Sequence, residues 1–144
     1  MNKIFHENEL LAIIINASFS HPGISFFTEP HLSQQLAFMK HEVGKIILPH
    51  VHNPVPREVT YTQEVLFIRR GKLRVDFYSS KQAYLFSSIL CSGDVILLAT
   101  GGHGFEVLEE IEMVEVKQGP YAGEQDKTRF NPVSASQIRL KNDL

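Results

Sequence analysis

Short apolar segments rich in Ile, Val, Phe and Tyr recur along this chain, and Gly, Pro, Asn and Asp residues separate them. This pattern is typical of many short strands in a sandwich or barrel. In one segment Leu73, Val75 and Phe77 alternate with less apolar residues, which predicts a strand with one buried face. The predicted strands cover residues 10–16, 34–41, 44–48, 59–69, 73–79, 83–91, 94–98, 104–109 and 112–117. The sequence therefore predicts an all-β domain.

The segments between these strands contain turn residues and little that favours helix. Turns are predicted at residues 70–72, 92–94 and 119–120, where glycine stands beside charged residues, Ser or Pro. The only helical candidates are short, near residues 29–35 and 134–140. No linker, low-complexity tract or structural repeat interrupts the pattern, which indicates a single domain.

Composition and charge exclude several classes of protein. A chain of 144 residues with 43% hydrophobic and 21% charged residues can bury a core, unlike a disordered tail. The 14 basic and 16 acidic residues give a net charge of -2 and form no dense basic run. A nucleic-acid partner or an anionic membrane surface is therefore not expected.

Two further features bear on the compartment. The apolar stretch at residues 10–15 is far shorter than the roughly 20 residues that span a bilayer, and no basic cluster or cleavage pattern frames it. We interpret it as a buried strand. The single cysteine, Cys91, excludes an internal disulfide and fits a reducing compartment. A soluble cytoplasmic protein is the expectation.

Candidate chemistry is concentrated in histidines and one carboxylate. His50 and His52 are one residue apart, so on a strand both side chains would point to the same face. Glu64 follows, and His103 comes after two glycines that allow the backbone to bend. Three imidazoles and a carboxylate can hold a divalent transition metal with coordination positions left open. A barrel whose histidines are only hydrogen-bonded interior residues is the alternative.

The same residues carry a resemblance to the cupin superfamily. Gly44, His50, His52, Glu64 and Gly71 resemble its first motif in order. Gly93-Asp94, Gly101 and His103-Gly104-Phe105 resemble the second. The resemblance covers about residues 34–118 and implies a double-stranded β-helix, or jelly roll. It also implies a metal (Zn, Mn, Fe or Ni) held by His50, His52, Glu64 and His103.

The chain departs from the cupin pattern in two places. Eleven residues separate His52 from Glu64 where the family has three or four, and Ala99 stands at the usual proline of the second motif. Glu58, inside the longer gap, is therefore an alternative carboxylate ligand, although its spacing to a following glycine fits less well. His41 is an outside candidate for an additional ligand.

A second resemblance lies near the end of the chain. Residues 114–126, followed by Arg129 and Phe130, are similar to the tail of the cupin domain in bifunctional mannose-6-phosphate isomerases. This implies a sugar phosphate or nucleotide-linked sugar as substrate, with Arg129 as a contact. We divide the chain into an N-terminal strand and connecting segment (1–33), a barrel core (34–118) and a tail packed on the barrel (119–144).

The expected function is a metal-dependent isomerase or epimerase of a sugar derivative. The metal would polarise a carbonyl while a base moves a proton between neighbouring carbons. Glu58 and Tyr61 are candidate acid–base groups, and Arg57 is a candidate fork for a phosphate. An iron-dependent dioxygenase and a non-catalytic sugar-binding or regulatory barrel are the alternatives. An exposed edge at residues 10–16 would need a cover, which predicts a homodimer.

Overall fold

The protein is described by a computed structural model over residues 1–141. About 45% of the chain is β-strand, and no α-helix occurs in the described residues. The strands are β1 (Asn2–His6), β2 (Glu9–Ile15), β3 (Gly23–Phe26), β4 (Ala37–Lys40), β5 (Glu64–Tyr78), β6 (Tyr84–Cys91), β7 (Val95–Leu98) and β8 (Gly102–Lys117). Two 3₁₀ turns, Gly123–Asp126 and Ala135–Gln137, follow them. The prediction of an all-β protein is confirmed.

The chain forms two compact units. Among the described residues, the larger comprises Met1–Phe19 and 61–141, and the smaller comprises Ser20–Thr60. The smaller unit contains the antiparallel pair β3–β4, in which Ile24 lies opposite Met39. No strand is formed at residues 44–48, so the strand predicted there is wrong. Residues 41–63 contain no strand or helix.

The larger unit is a curled antiparallel sheet, a half-barrel, organised around β5. Strands β1, β2 and β7 lead to one edge of the first part of β5, where residues 64–67 pair with β7. Residues 72–78 of β5 pair with β6 along the same edge. Strand β8 pairs with the opposite edge over nearly the whole length of β5. The predicted edge strand at residues 10–16 is therefore interior, because β2 lies between β1 and β7.

The curl has a local cause in the middle of β5. Three register shifts between Ile68 and Leu73 interrupt the pairing of β5 with β8. Gly71 lies among them with a φ of 88°, where a Cβ atom would be 2.0 Å from the carbonyl oxygen of Glu110. Bulges of this kind bend a strand and increase its twist. The predicted turn at residues 70–72 is wrong: these residues bend a continuous strand.

The concave face of the half-barrel contains the core. Its members are aliphatic or aromatic side chains from five strands that exclude water almost completely: Ile4, Leu11, Ala12, Ile14, Leu66, Ile68, Leu73, Val75, Phe77, Leu90, Ile96 and Leu98. The predicted burial of Leu73, Val75 and Phe77 is confirmed. Asp76 and Tyr78, on the other face of the same strand, are buried as well, so β5 has no solvent-exposed face at this end.

The C-terminal tail covers part of that other face. Phe130 packs edge-on against Tyr78 at 5.0 Å between ring centroids, and the Tyr78 hydroxyl accepts a hydrogen bond from the backbone N–H of Val133 at 3.0 Å. Further on, Leu140 forms a parallel bridge with Ser87 of β6. Among residues 1–141, no helix has the length and apolar character needed to cross a membrane.

Candidate functional site

Glu64 and His103 form the polar centre of the half-barrel. Glu64 is the first residue of β5, and Phe77 follows it by thirteen residues along that strand. His103 lies on β8, directly opposite Phe77. A straight strand would separate these positions by roughly 40 Å. The Glu64 Oε2 and His103 Nε2 atoms are nevertheless only 3.2 Å apart. The curl of the sheet therefore brings the two ends of the β5–β8 ladder together and creates the site.

Lys117 completes a group of three. It is the direct cross-strand partner of Glu64 at the end of β8, and its Nζ atom lies 3.7 Å from Glu64 Oε1. The three side chains are 14%, 30% and 24% exposed for Glu64, His103 and Lys117, so each is largely buried while still reaching solvent. The site thus places a carboxylate between an imidazole and an ammonium group.

The surroundings lower the pKa of Glu64 below its ordinary value of 4.5. The hydrogen bond with His103 is the largest cause, and the positive charges of His103, Lys117 and Lys127 act in the same direction. Burial opposes them, because removing a carboxylate from water disfavours its charged form. Glu64 is therefore ionised at neutral pH.

Apolar and polar neighbours shape the rest of this site. The ring of Phe105, two residues after His103 on the same face of β8, lies 5.3 Å from the imidazole and is 41% exposed. Gln63, directly before Glu64, is buried, and its side-chain carbonyl oxygen has no hydrogen-bond partner in the described chain. The Gln63 oxygen is enclosed, so the exposed ring of Phe105 is the neighbour of the charged groups that a small molecule could contact.

The structure places the two other predicted ligands in the smaller unit. His50 and His52 are exposed and lie in the strand-free segment, with their rings edge to face at 5.2 Å. The His50 ring bonds with the backbone carbonyl oxygen of Leu48 at 3.0 Å through Nδ1. The premise that a barrel strand orients this pair is wrong, because no strand forms there. His41 is also exposed in this unit.

The larger unit alone does not supply a set of metal ligands. Glu64 and His103 offer two donor atoms, whereas a catalytic zinc site uses three protein ligands. Within residues 1–141, no group of three or more His, Cys, Asp and Glu side chains is arranged to hold a metal ion. The metal stays a prediction, and the residues that are brought together do not fit it by themselves.

The predicted acid–base and phosphate-binding residues are exposed. Arg57 donates a long hydrogen bond (3.4 Å) to the carbonyl oxygen of Val55, and Glu58 is its exposed neighbour in the smaller unit. Tyr61, in the larger unit, is 68% exposed. Arg129 forms an exposed ion pair with Glu124 in the tail. Their predicted roles stay predictions.

Lys117 is a site residue that no pattern in the sequence indicates. A lysine at the end of an apolar strand usually ends in solvent, and its position opposite Glu64 depends on the register between β5 and β8. The bulges at residues 68–73 set that register, and the sequence predicts a turn at residues 70–72 in their place. The alternation of Glu115, Val116 and Lys117 does not distinguish a lysine that ends in solvent from one that pairs with Glu64.

A second buried polar cluster lies on the opposite face of β5, beneath the tail. Asp76 accepts hydrogen bonds from Arg74 Nε at 2.8 Å and from the Ser87 hydroxyl at 2.5 Å. Because the Ser87 proton points to Asp76, the Tyr84 hydroxyl donates to Ser87 Oγ at 2.8 Å. Tyr84 in turn accepts from the backbone N–H of Arg139 at 2.9 Å. This chain of bonds fastens the tail to the sheet.

Comparisons with known proteins add no relative from which a role could be transferred. The resemblance to cupins therefore stays a prediction from the motifs, and the chemistry of Glu64, His103 and Lys117 is the ground for a functional proposal. No family model, no curated protein and no solved structure matches this chain.

Proposed function

We propose that this protein is an isomerase or epimerase of a small sugar derivative, a sugar phosphate or a nucleotide-linked sugar, in which Glu64 and His103 move the proton. The observation that supports this most directly is the 3.2 Å contact between Glu64 Oε2 and His103 Nε2 in a largely buried site. A carboxylate and an imidazole within hydrogen-bond reach are a common acid–base pair.

The roles follow from the charges of the three groups. Ionised Glu64 accepts the proton from the carbon next to the carbonyl of the open-chain sugar, and the electron pair moves onto the carbonyl oxygen. His103 donates its Nε2 proton to that oxygen, and the ammonium group of Lys117 stabilises the negative charge that develops. In isomerisation Glu64 then returns its proton to the former carbonyl carbon, while His103 takes a proton from the hydroxyl of the neighbouring carbon, which becomes the new carbonyl. In epimerisation the proton is returned to the opposite face of the same carbon, while His103 takes back the proton it gave to the oxygen and the original carbonyl re-forms.

Phe105 supports a sugar as the reacting molecule. Its exposed ring beside the imidazole offers an apolar surface to the C–H face of a sugar ring or chain. No step of this proposal passes through a metal ion.

The test is incorporation of solvent deuterium. The protein is incubated in D₂O with aldose phosphates, ketose phosphates and nucleotide-linked keto sugars, and exchange at the carbon next to the carbonyl is followed by proton NMR. Loss of one acid–base group typically reduces the rate by about 10²–10⁴-fold. We therefore expect Glu64→Gln and His103→Gln to exchange at least about 100-fold more slowly than the native chain.

The matched control is Glu109→Gln, which removes an exposed carboxylate that pairs with Lys72 on the same two strands. This variant should exchange at the native rate. Equal rates in Glu64→Gln and in the native chain would contradict the proposed roles. Saturable binding of a sugar without exchange would identify a binding domain and overturn the catalytic proposal.

A further inference from the structure

The outer edge of β8 has no partner in the described part of the chain. β8 is the longest strand, with 16 residues, and it pairs only with β5 among residues 1–141. Alternate backbone N–H and C=O groups of such a strand point away from the sheet. A long edge of this kind is a template for the addition of another strand.

Both faces of this strand also carry exposed apolar side chains. Val107 and Val116 are each 54% exposed, and Phe105, Met113 and Val114 are between 40% and 46% exposed. An added strand with apolar residues at alternate positions would cover the groups on one of these faces while its backbone pairs with the edge.

The charge on β8 defines the partner. Five glutamates lie along the strand, and no Lys or Arg occurs between residues 102 and 116: Glu106, Glu109, Glu110, Glu112 and Glu115. The first two pair with Arg74 and Lys72 of β5, each at 2.5 Å, and Arg70 lies 3.8 Å from Glu110.

Glu112 and Glu115 form no ion pair among the described residues and are exposed. Pairing of β8 with a second copy of itself would bring two glutamate-rich strands together, and like charges across a strand pair are destabilising. Glu112 and Glu115 are three residues apart on β8 and therefore project to opposite faces of the sheet. A strand in which Lys or Arg alternates with apolar residues would place positive charge beside one of these two carboxylates, whichever face its basic side chains share.

We propose that the outer edge of β8 binds an extended basic segment of a partner protein, one in which Lys or Arg alternates with apolar residues, by strand addition. The proposal does not depend on catalysis, because the outer edge of β8 and the carboxylates of Glu112 and Glu115 have no part in the proposed proton transfer.

The experiment uses a capped seven-residue peptide in which lysine alternates with valine, added to the full-length protein. Binding is measured by NMR titration at low salt, and amide hydrogen exchange is measured on β8. We expect alternate β8 amides to exchange at least 10-fold more slowly with the peptide bound, and the binding to weaken as salt is raised. A peptide with glutamate in place of lysine, and a lysine–valine peptide with a central proline, should bind at least 10-fold more weakly.

A pair of variants tests the charge. The double variant Glu112→Lys, Glu115→Lys should bind the lysine peptide at least 10-fold more weakly than the native protein does. It should bind the glutamate peptide more tightly. The matched control, Glu7→Lys combined with Glu9→Lys, makes the same change of charge at exposed positions around the β1–β2 turn and should leave binding unchanged. If the native protein bound the lysine–valine peptide and the glutamate peptide equally well, the proposal would be overturned.

Slow hydrogen exchange of the outward-pointing β8 amides in the absence of any peptide would also overturn the proposal. If that protection disappears on dilution, the edge is occupied by a second copy, and if it persists at all concentrations, another part of the chain occupies it.

Discussion

Replacement of Gly71 by alanine tests whether the bulge in β5 produces the curl. At a φ of 88° an L-residue is strained, which costs about 1–2 kcal/mol. The added Cβ would also lie 2.0 Å from the Glu110 carbonyl oxygen and within 3 Å of two other backbone atoms of β8. Backbone cannot rotate away as a side chain can, so the strands must separate, at a cost of about 1–3 kcal/mol by comparison with overpacked cores. We expect Gly71→Ala to lower the free energy of unfolding by about 2–5 kcal/mol.

Urea unfolding followed by circular dichroism measures this change. The matched control is Gly123→Ala, because Gly123 has a φ of 66° but no atom within 4 Å of an added Cβ. The control isolates the conformational cost and should lose only about 1–2 kcal/mol. If the two variants were equally stable, the contact with Glu110 would not restrain the bulge, and the explanation of the curl would be wrong.

Two further predictions concern the polar groups. The pKa of Glu64 is lower in the folded state than its ordinary value of 4.5, so its contribution to stability is complete above that pH and is lost as the pH falls through the lowered value. Glu64→Gln should therefore cost roughly 1 kcal/mol at pH 7 and less near pH 3, in urea titrations at both values; a pH-independent difference would contradict this. Ser87→Ala leaves the buried carboxylate of Asp76 without one donor and should cost about 1–3 kcal/mol. The amide of Arg139 should then exchange faster in hydrogen-exchange NMR, and unchanged exchange would show that the network does not hold the tail.

Periodicity was sufficient for most of the sheet. The strands at residues 9–15, 84–91 and 95–98 lie close to their predicted positions, because each combines β-branched or aromatic residues with glycine or polar residues at its ends. β1 and β3 were not predicted. Both are short, and β1 contains Lys3 and His6 within five residues, so its strand conformation depends on pairing with β2.

The site was only half predictable. Glu64 and His103 were selected as metal ligands, and they do meet, although their contact depends on a bend at Gly71 that was interpreted as a turn. Glycine with a positive φ serves turns and bulges equally, and only the partner strand decides between them. The imidazole side chains of His50 and His52 suggested metal binding. Whether their segment forms a strand depends on pairing with distant residues, and a local pattern does not contain that information.

The pairing of β2 with β7 has a consequence during synthesis. β2 contains the consecutive buried residues Leu11–Ile15, and its partner β7 begins about eighty residues later in the chain. At roughly 5–20 residues per second, a ribosome needs about 4–16 s to complete that interval. Throughout it, the emerging hairpin of β1 and β2 must expose one of the most apolar segments of the protein. A short, uncharged, β-prone segment of this kind is aggregation-prone, so the interval before β7 is synthesised is when the nascent chain has most need of protection from association.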